Sequence, residues 1–182
     1  MAKLAVESLI ECALRAGAHA AAVVRVDQMT FCRDFRSACV QNTCGKYGTC
    51  WMCPPDIGEI DDLIAMAKTY EYMLVFQSVG QLEDSFDIEG MEEAAVAHNA
   101  LALKLAEMLD GELNAPLRLG AGACHVCARC AREDDLPCRC PDFAVASLEA
   151  YGIAVSELAT QSGLAYHNGP GTVTYFGGFL FQ

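Results

Sequence analysis

Basic residues are scarce in this chain: twelve Lys and Arg stand against twenty-four Asp and Glu in 182 residues, a formal net charge of −12. Phosphate backbones are bound through a cationic stripe, so nucleic acid is excluded as an expected partner. Long hydrophobic runs are missing as well. The charge-free stretch from Ala94 to Leu103 ends at Lys104, well short of the roughly 20 apolar residues of a membrane-spanning helix. Met1-Ala2-Lys3-Leu4 leads into Glu7 and Glu11 without the apolar core of an export signal, which makes a cytoplasmic location the expectation. No Pro/Ser-rich linker and no fixed-period repeat divides the sequence. One domain over 1–182 is expected, and a hydrophobic share of 53% rules out disorder as the main state. There is no P-loop, no GxGxxG and no Ser-His-Asp arrangement, so phosphate cradling and triad chemistry lack a motif.

What the sequence has in excess is cysteine, eleven in all. In an oxidising space such a number suggests a disulfide framework, whereas in a reducing cytoplasm clustered thiols point to metal or redox chemistry. The odd count and the missing export signal favour metal. Acid is concentrated too: eleven of the twenty-four carboxylates fall between Asp56 and Glu93, where Lys68 is the only base. That segment reads as a solvated face, with a cation site the alternative.

Helical spacing of Leu4, Leu9, Ile10, Ala13 and Leu14 predicts a helix over 3–16 that ends at Gly17. His19 to Val26 reads as a strand, Ile57 to Lys68 as a helix, Tyr72 to Val79 as a strand and Met91 to Leu109 as the strongest helix. Pro116 to Leu119 is a strand candidate, Phe143 to Tyr151 and 155–162 are helix candidates, and Thr172 to Phe181 alternates as a closing strand. Gly177-Gly178 within that strand predicts a bulge or a close backbone approach. The order defines an α/β or α+β domain, with a central sheet, flanking helices and two Cys-rich loops at 30–58 and 120–141.

The second loop carries Cys124, Cys127 and Cys130, then Cys138-Arg139-Cys140-Pro141. A Cx2Cx2C run puts three thiolates on one tight loop where each can reach a different iron of one cubane, and a later cysteine closes the set. Cys138 and Cys140 compete for that position. Zinc, which is usually held by two CxxC pairs, is the alternative. The first loop carries Cys39, Cys44, Cys50 and Cys53-Pro54-Pro55, with Gly45 and Gly48 available for tight turns, and fits a second metal site. Buried cysteine acting as a small hydrophobe is the other reading, above all for Cys50, and for Cys12 within the first helix it is the preferred one. Cys32 lies beside Arg33 and Arg36, which is weak evidence for a reactive thiol. His125, between two expected ligands, is a candidate partner for a cluster sulfur, while His98 is expected to be an ordinary face residue of its helix.

The pattern Cys44-x8-Cys53-Pro54-Pro55 with Tyr47 and Trp51, followed by Gly122, Cys124-x2-Cys127-x2-Cys130-x7-Cys138-Arg139, Pro141, Ser147, Glu149-Ala150, Gly152-Ile153 and Val155, resembles a cysteine-rich family of predicted metal-binding proteins of unknown function. The resemblance covers most of the chain. It implies bound metal of iron–sulfur type in small, anaerobe-associated proteins, and no established reaction. Cys39, Cys44, Cys53, Cys124, Cys127, Cys130 and Cys138 fall on positions similar to the family's pattern, with Cys50 and Cys140 as additions. If the first loop supplies only three ligands, one iron is open to substrate or to a non-cysteine ligand.

The expected function is therefore that of a redox protein holding one or two [4Fe–4S] clusters and passing electrons to a protein partner, which the acidic segment would dock. Arg33, Arg36, Lys46, Arg129, Arg132 and Arg139 are expected to offset cluster charge. Two alternatives stand beside it: a small enzyme with an open iron, using Tyr47 or His125 as proton donor, and a zinc-binding module or metal chaperone. The expected metal ligands are Cys39, Cys44, Cys50, Cys53, Cys124, Cys127, Cys130 and Cys138.

Overall fold

The computed structural model describes residues 3–182; Met1, Ala2 and the side chains of Lys3, Leu4 and Ala5 lie outside the described residues. Apolar residues spaced for one face wind Lys3–Ala16 into α1, and Gly17, at φ +116°, releases the chain into β1 (Ala20–Arg25). A long excursion follows, interrupted by α2 (Phe35–Val40), before α3 (Ile60–Ala67) and β2 (Tyr72–Gln81). Asp87 caps α4 (Ile88–Met108), its carboxylate accepting from Gly90 N–H at 2.8 Å, and the backbone N–H groups of Glu83 and Gly90 hold that carboxyl below its ordinary range. β3 (Leu117–Gly120), β4 (Ala146–Ser147), α5 (Val155–Ser162) and β5 (Thr172–Phe181) complete the order.

The strands form one mixed sheet in the order β1-β2-β5-β3-β4, antiparallel except for the β3–β4 pair. Side chains alternate across it. Met73, Val75 and Leu180 face a core completed by Leu63 and Ala67 of α3, Leu158 and Ala159 of α5, and Leu148, Tyr151 and Ile153. Leu74, Phe76, Phe179 and Phe181 face the opposite core, built with Leu9, Cys12 and Ala13 of α1 and Leu101 and Leu105 of α4. With both faces covered, the architecture is α+β, and β2 reads as a continuous apolar run because both sets of its side chains are buried. Cys12 is one of those core residues, as the helical spacing predicts.

Two local expectations are corrected, and a third is met on one of its two readings. The 30–58 stretch is not loop throughout, because α2 lies within it; six residues are too few for a hydrophobic period to show. Phe143 to Tyr151 is not a helix. Ala146 and Ser147 pair in parallel with Leu119 and Gly120, and burial of Ala146 and Leu148 on alternate positions pulls the segment into a short strand followed by a tight turn at Glu149–Tyr151. Gly177-Gly178 makes no bulge. The ladder runs through it, pairing Phe76 with Gly177 and Val75 with Gly178, and the close approach is real: a Cβ on Gly177 would lie 2.6 Å from the Phe76 ring.

His98 is buried at the α4–sheet interface, 1% exposed, stacked on Phe76 with ring centroids 5.3 Å apart and its Nδ1 2.8 Å from Ser78 Oγ. Burial pushes its pKa down from 6.5 to about 4. The folded value lies below the unfolded one, so between the two the unfolded chain binds more protons and stability falls as pH drops. Acidification from pH 7 to 4 is expected to cost about 3 kcal/mol through this residue alone. Urea titrations at both pH values in wild type and His98→Gln check it: the variant should show a smaller loss by that amount.

Candidate metal centre

The two cysteine loops leave different parts of the fold, one between β1 and α3 and the other between β3 and β4, and they meet. Trp51 Nε1 donates to the Leu136 carbonyl at 2.9 Å. Arg132 reaches across to Asp56, 2.9 Å away, and lays its guanidinium over the Trp51 ring at 5.2 Å, a cation–π contact, while also pairing with Asp135. Both members of the Arg132–Asp56 pair are mostly buried, so it clamps the loops more firmly than a surface ion pair would.

Where the loops touch, Cys50, Cys124, Cys127, Cys130, Cys138 and Cys140 line one cavity of about 20 Å³, with Trp51 and Met52 at its wall. Cys50 is 1% exposed. Cys53 above all, with the backbone N–H groups of Met52 and Cys124 and the Cys130 thiol, draws its pKa below the usual thiol value against the desolvation that would raise it. Cys53, the donor, is pushed up in turn, and it also feels Cys44 and Cys39. Burial raises Cys124, with Cys50 and Cys130 adding to the effect. Cys140 is raised by desolvation and by its neighbours Cys127 and Cys138. The nine thiols of the two loops thus form one continuous neighbourhood, with Cys50 and Cys53 as the link.

Every cysteine named from the sequence as a ligand lies in this neighbourhood, but Cys50 sits in the cavity of the second loop while Cys39, Cys44 and Cys53 remain on the side of the first. Cys140, left out of the expected set, lies beside Cys127 and Cys138; its CxC spacing was the available signal. Cys12 stands apart in the core. His125 is exposed and lines a separate, mainly apolar cavity of about 50 Å³ with Leu103, Gly122, Val145 and Phe179. Among the described residues, no three His, Cys, Asp or Glu side chains are drawn together so as to hold one metal ion.

The arginine expectation needs correction. Arg129 is bound to Glu133 at 2.9 Å and to Asp134, Arg33 to Asp61, and Arg132 to Asp56 and Asp135. Carboxylates already neutralise these side chains. Arg36 and Arg139 are the ones that lower thiol pKa values, at Cys39 and Cys140.

The donor chemistry tests whether a metal fits. Nine sulfurs carried by the two loops make a soft donor set suited to zinc, copper(I) or iron–sulfur clusters and poorly suited to magnesium or calcium. The fold and this centre define a cysteine-rich α+β protein equipped to bind a thiophilic metal. Residues 22–181 match the model of the family described as "Predicted metal-binding protein (DUF2284)", and the chain belongs to that family. No curated protein and no solved structure matches the chain. Among the described residues no helix is long and apolar enough to cross a membrane.

Proposed function

We propose that this protein carries one or two [4Fe–4S] clusters on its paired cysteine loops and exchanges electrons with a protein partner. The observation that carries the reading is the entry of Cys50 into the cavity of Cys124, Cys127, Cys130, Cys138 and Cys140, which puts the thiols of both loops side by side. On one side Cys124, Cys127 and Cys130 would supply three of the four ligands a cubane takes, with Cys50 and Cys138 the candidates for the fourth, and Cys39, Cys44 and Cys53 are the expected ligands on the other. A bound cubane takes up and gives back one electron at a time. The chain's own part is to hold the sulfurs, to shield them with Trp51 and Met52, and to fix the loops through Arg132 and Asp56. Backbone N–H groups of Met52 and Cys124, which already donate to Cys50, are of the kind that tune a cluster's potential.

The acidic segment supports a basic partner, although not all of its charge is free: Asp56 and Asp61 are paired and Asp87 caps α4. Glu89, Glu92 and Glu93 stay on the exposed side of α4 beside Val96 and Ala97, and with the exposed Glu59, Asp62 and Glu83 they are carboxylates left for docking. A second reading, a zinc-stabilised module, is favoured by one observation. Cys50 and Cys53 form a CxxC turn, closed by Cys53 N–H donating to the Cys50 carbonyl at 2.9 Å, and such turns chelate zinc.

Anaerobic purification followed by iron, sulfide and zinc determination separates the two. Brown protein with equal iron and acid-labile sulfide, and an EPR signal after reduction, is expected. Colourless, folded protein with stoichiometric zinc overturns the iron–sulfur reading.

A further inference from the structure

The apolar cavity beside His125 lies between the C-terminal half of α4 and the chain that leaves β3 for the second cysteine loop. α4 buries His98, Leu101 and Leu105. The neighbouring stripe, Asn99, Ala102, Leu103 and Ala106, keeps i, i+3, i+4, i+7 spacing and so lies along one side of the helix, facing the cavity. Two of those four are alanines, too short to reach across. On the opposite wall β3 pairs Arg118 with Phe179, whose ring belongs to the α1–α4 side of the sheet, and alternation gives that same side to Gly120, which has no side chain to offer. Ala121, Gly122 and Ala123 continue this wall, and a Cβ at Gly122 would meet nothing within 4 Å. The void thus follows from small residues placed on both elements.

It runs inward from a mouth of exposed Gly122, His125 and Leu103 to a floor of buried Phe76 and Phe179. Cys124 lines it and also lines the cavity of the second-loop thiols, so one residue forms the wall between the two spaces. Its polar side chains other than Cys124 are Asn99, His125 and Arg118, and the Arg118 guanidinium is already donating to the Asp142 carbonyl. A buried water needs about two to four polar partners, which this wall does not supply, so the space disfavours water and charge and suits an uncharged guest. A dry apolar cavity of about 150 Å³ takes benzene, so one of about 50 Å³ takes a molecule roughly a third that size.

We infer that this cavity is a binding site for an uncharged apolar molecule of about two or three heavy atoms, such as a diatomic gas, held against Cys124 at the edge of the metal centre. The site goes beyond electron transfer and stands whichever metal the thiols take. The apolar shell around a metal centre governs its solvent access and local dielectric, so a guest here would make the Cys124 side of the centre responsive to a small neutral ligand.

Xenon, an apolar atom that enters dry cavities, is the probe. Crystals of the full chain under xenon pressure should show an anomalous peak inside the cavity, in contact with Cys124, and xenon-129 spectra of the metal-loaded protein in solution should show saturable binding. Ala102→Leu, which fills the cavity from α4, should abolish both. Ala97→Leu, on the exposed side of the same helix, should leave both unchanged, with metal content equal to wild type in the two variants. No peak in the wild-type cavity, a peak that does not touch Cys124, or binding retained in folded Ala102→Leu overturns the inference. Should Ala102→Leu fail to fold, the presence and position of the wild-type peak decide the matter alone.

Discussion

Serine in place of Cys50 is expected to strip metal from the second loop while leaving the cysteines of that loop untouched. The reason is positional. Cys50 belongs to the first loop by sequence, yet its sulfur is buried in the cavity of Cys124, Cys127, Cys130, Cys138 and Cys140. Cys53, the backbone N–H groups of Met52 and Cys124, and Cys130 all favour its thiolate form, against desolvation. A serine hydroxyl is a harder donor that stays protonated, so it neither neutralises a metal nor accepts those bonds as an anion. Loss of outer-shell partners alone commonly weakens metal binding about 10–100-fold, and loss of a ligand should exceed that. Metal content per chain and competition with a chelator measure the effect, and Cys32→Ser, outside the cavity, should leave both unchanged. Equal metal retention in Cys50→Ser and Cys32→Ser would show that Cys50 is a buried hydrophobe and no ligand.

Gly178→Val should produce the largest loss of stability in the chain. Gly178 lies in β5 between two partners, opposite Val75 of β2 and Leu119 of β3, so the strand cannot shift to one side. A Cβ there would lie 2.1 Å from Met73 Cε and 2.9 Å from the Leu74 carbonyl oxygen. Met73 is fully buried and has nowhere to swing. Overpacking of a tight core costs about 1–3 kcal/mol, and the branched valine, forced against backbone as well, is expected to exceed about 4 kcal/mol. That is a large part of the roughly 5–15 kcal/mol that keeps a domain folded. A denaturant midpoint for Gly178→Ala and for the Gly178→Ala/Met73→Ala pair separates the two clashes. With Met73→Ala alone as the further arm, which subtracts the cavity its truncation leaves, the coupling between the two changes reports the Met73 clash, and the rest of the Gly178→Ala cost is the carbonyl part.

Much of this molecule is legible in its sequence where the determinants are local. The alternation from Thr172 to Phe181 marks β5 within its observed ends, and the spacing of Leu9, Ala13 and Leu14 marks α1, because each element writes its own period into consecutive residues. β4 is illegible for the opposite reason: two residues become a strand only by pairing with Leu119 and Gly120, which lie far back along the chain. The metal centre divides in the same way. Its cysteine spacings identify the chemistry, but the assignment of Cys50 to the second loop depends on Trp51 meeting Leu136 and Asp56 meeting Arg132, contacts that no spacing announces. The arginines mislead for a related reason, since counting cations near cysteines ignores the carboxylates that fold onto them.

The junction of Cys50 with Cys124 also bears on how long the protein survives. A metal bound by both closes a loop of about 75 residues that contains β2, α4 and β3, and a covalent cross-link of that span lowers the entropy of the unfolded chain by the equivalent of about 4 kcal/mol. A metal so bound would act as a staple through the middle of the polypeptide. Loss of such a metal would lengthen the tether between the two halves of the sheet, and the metal-free chain would be expected to unfold and to be cleaved by protease faster than the metal-bound one.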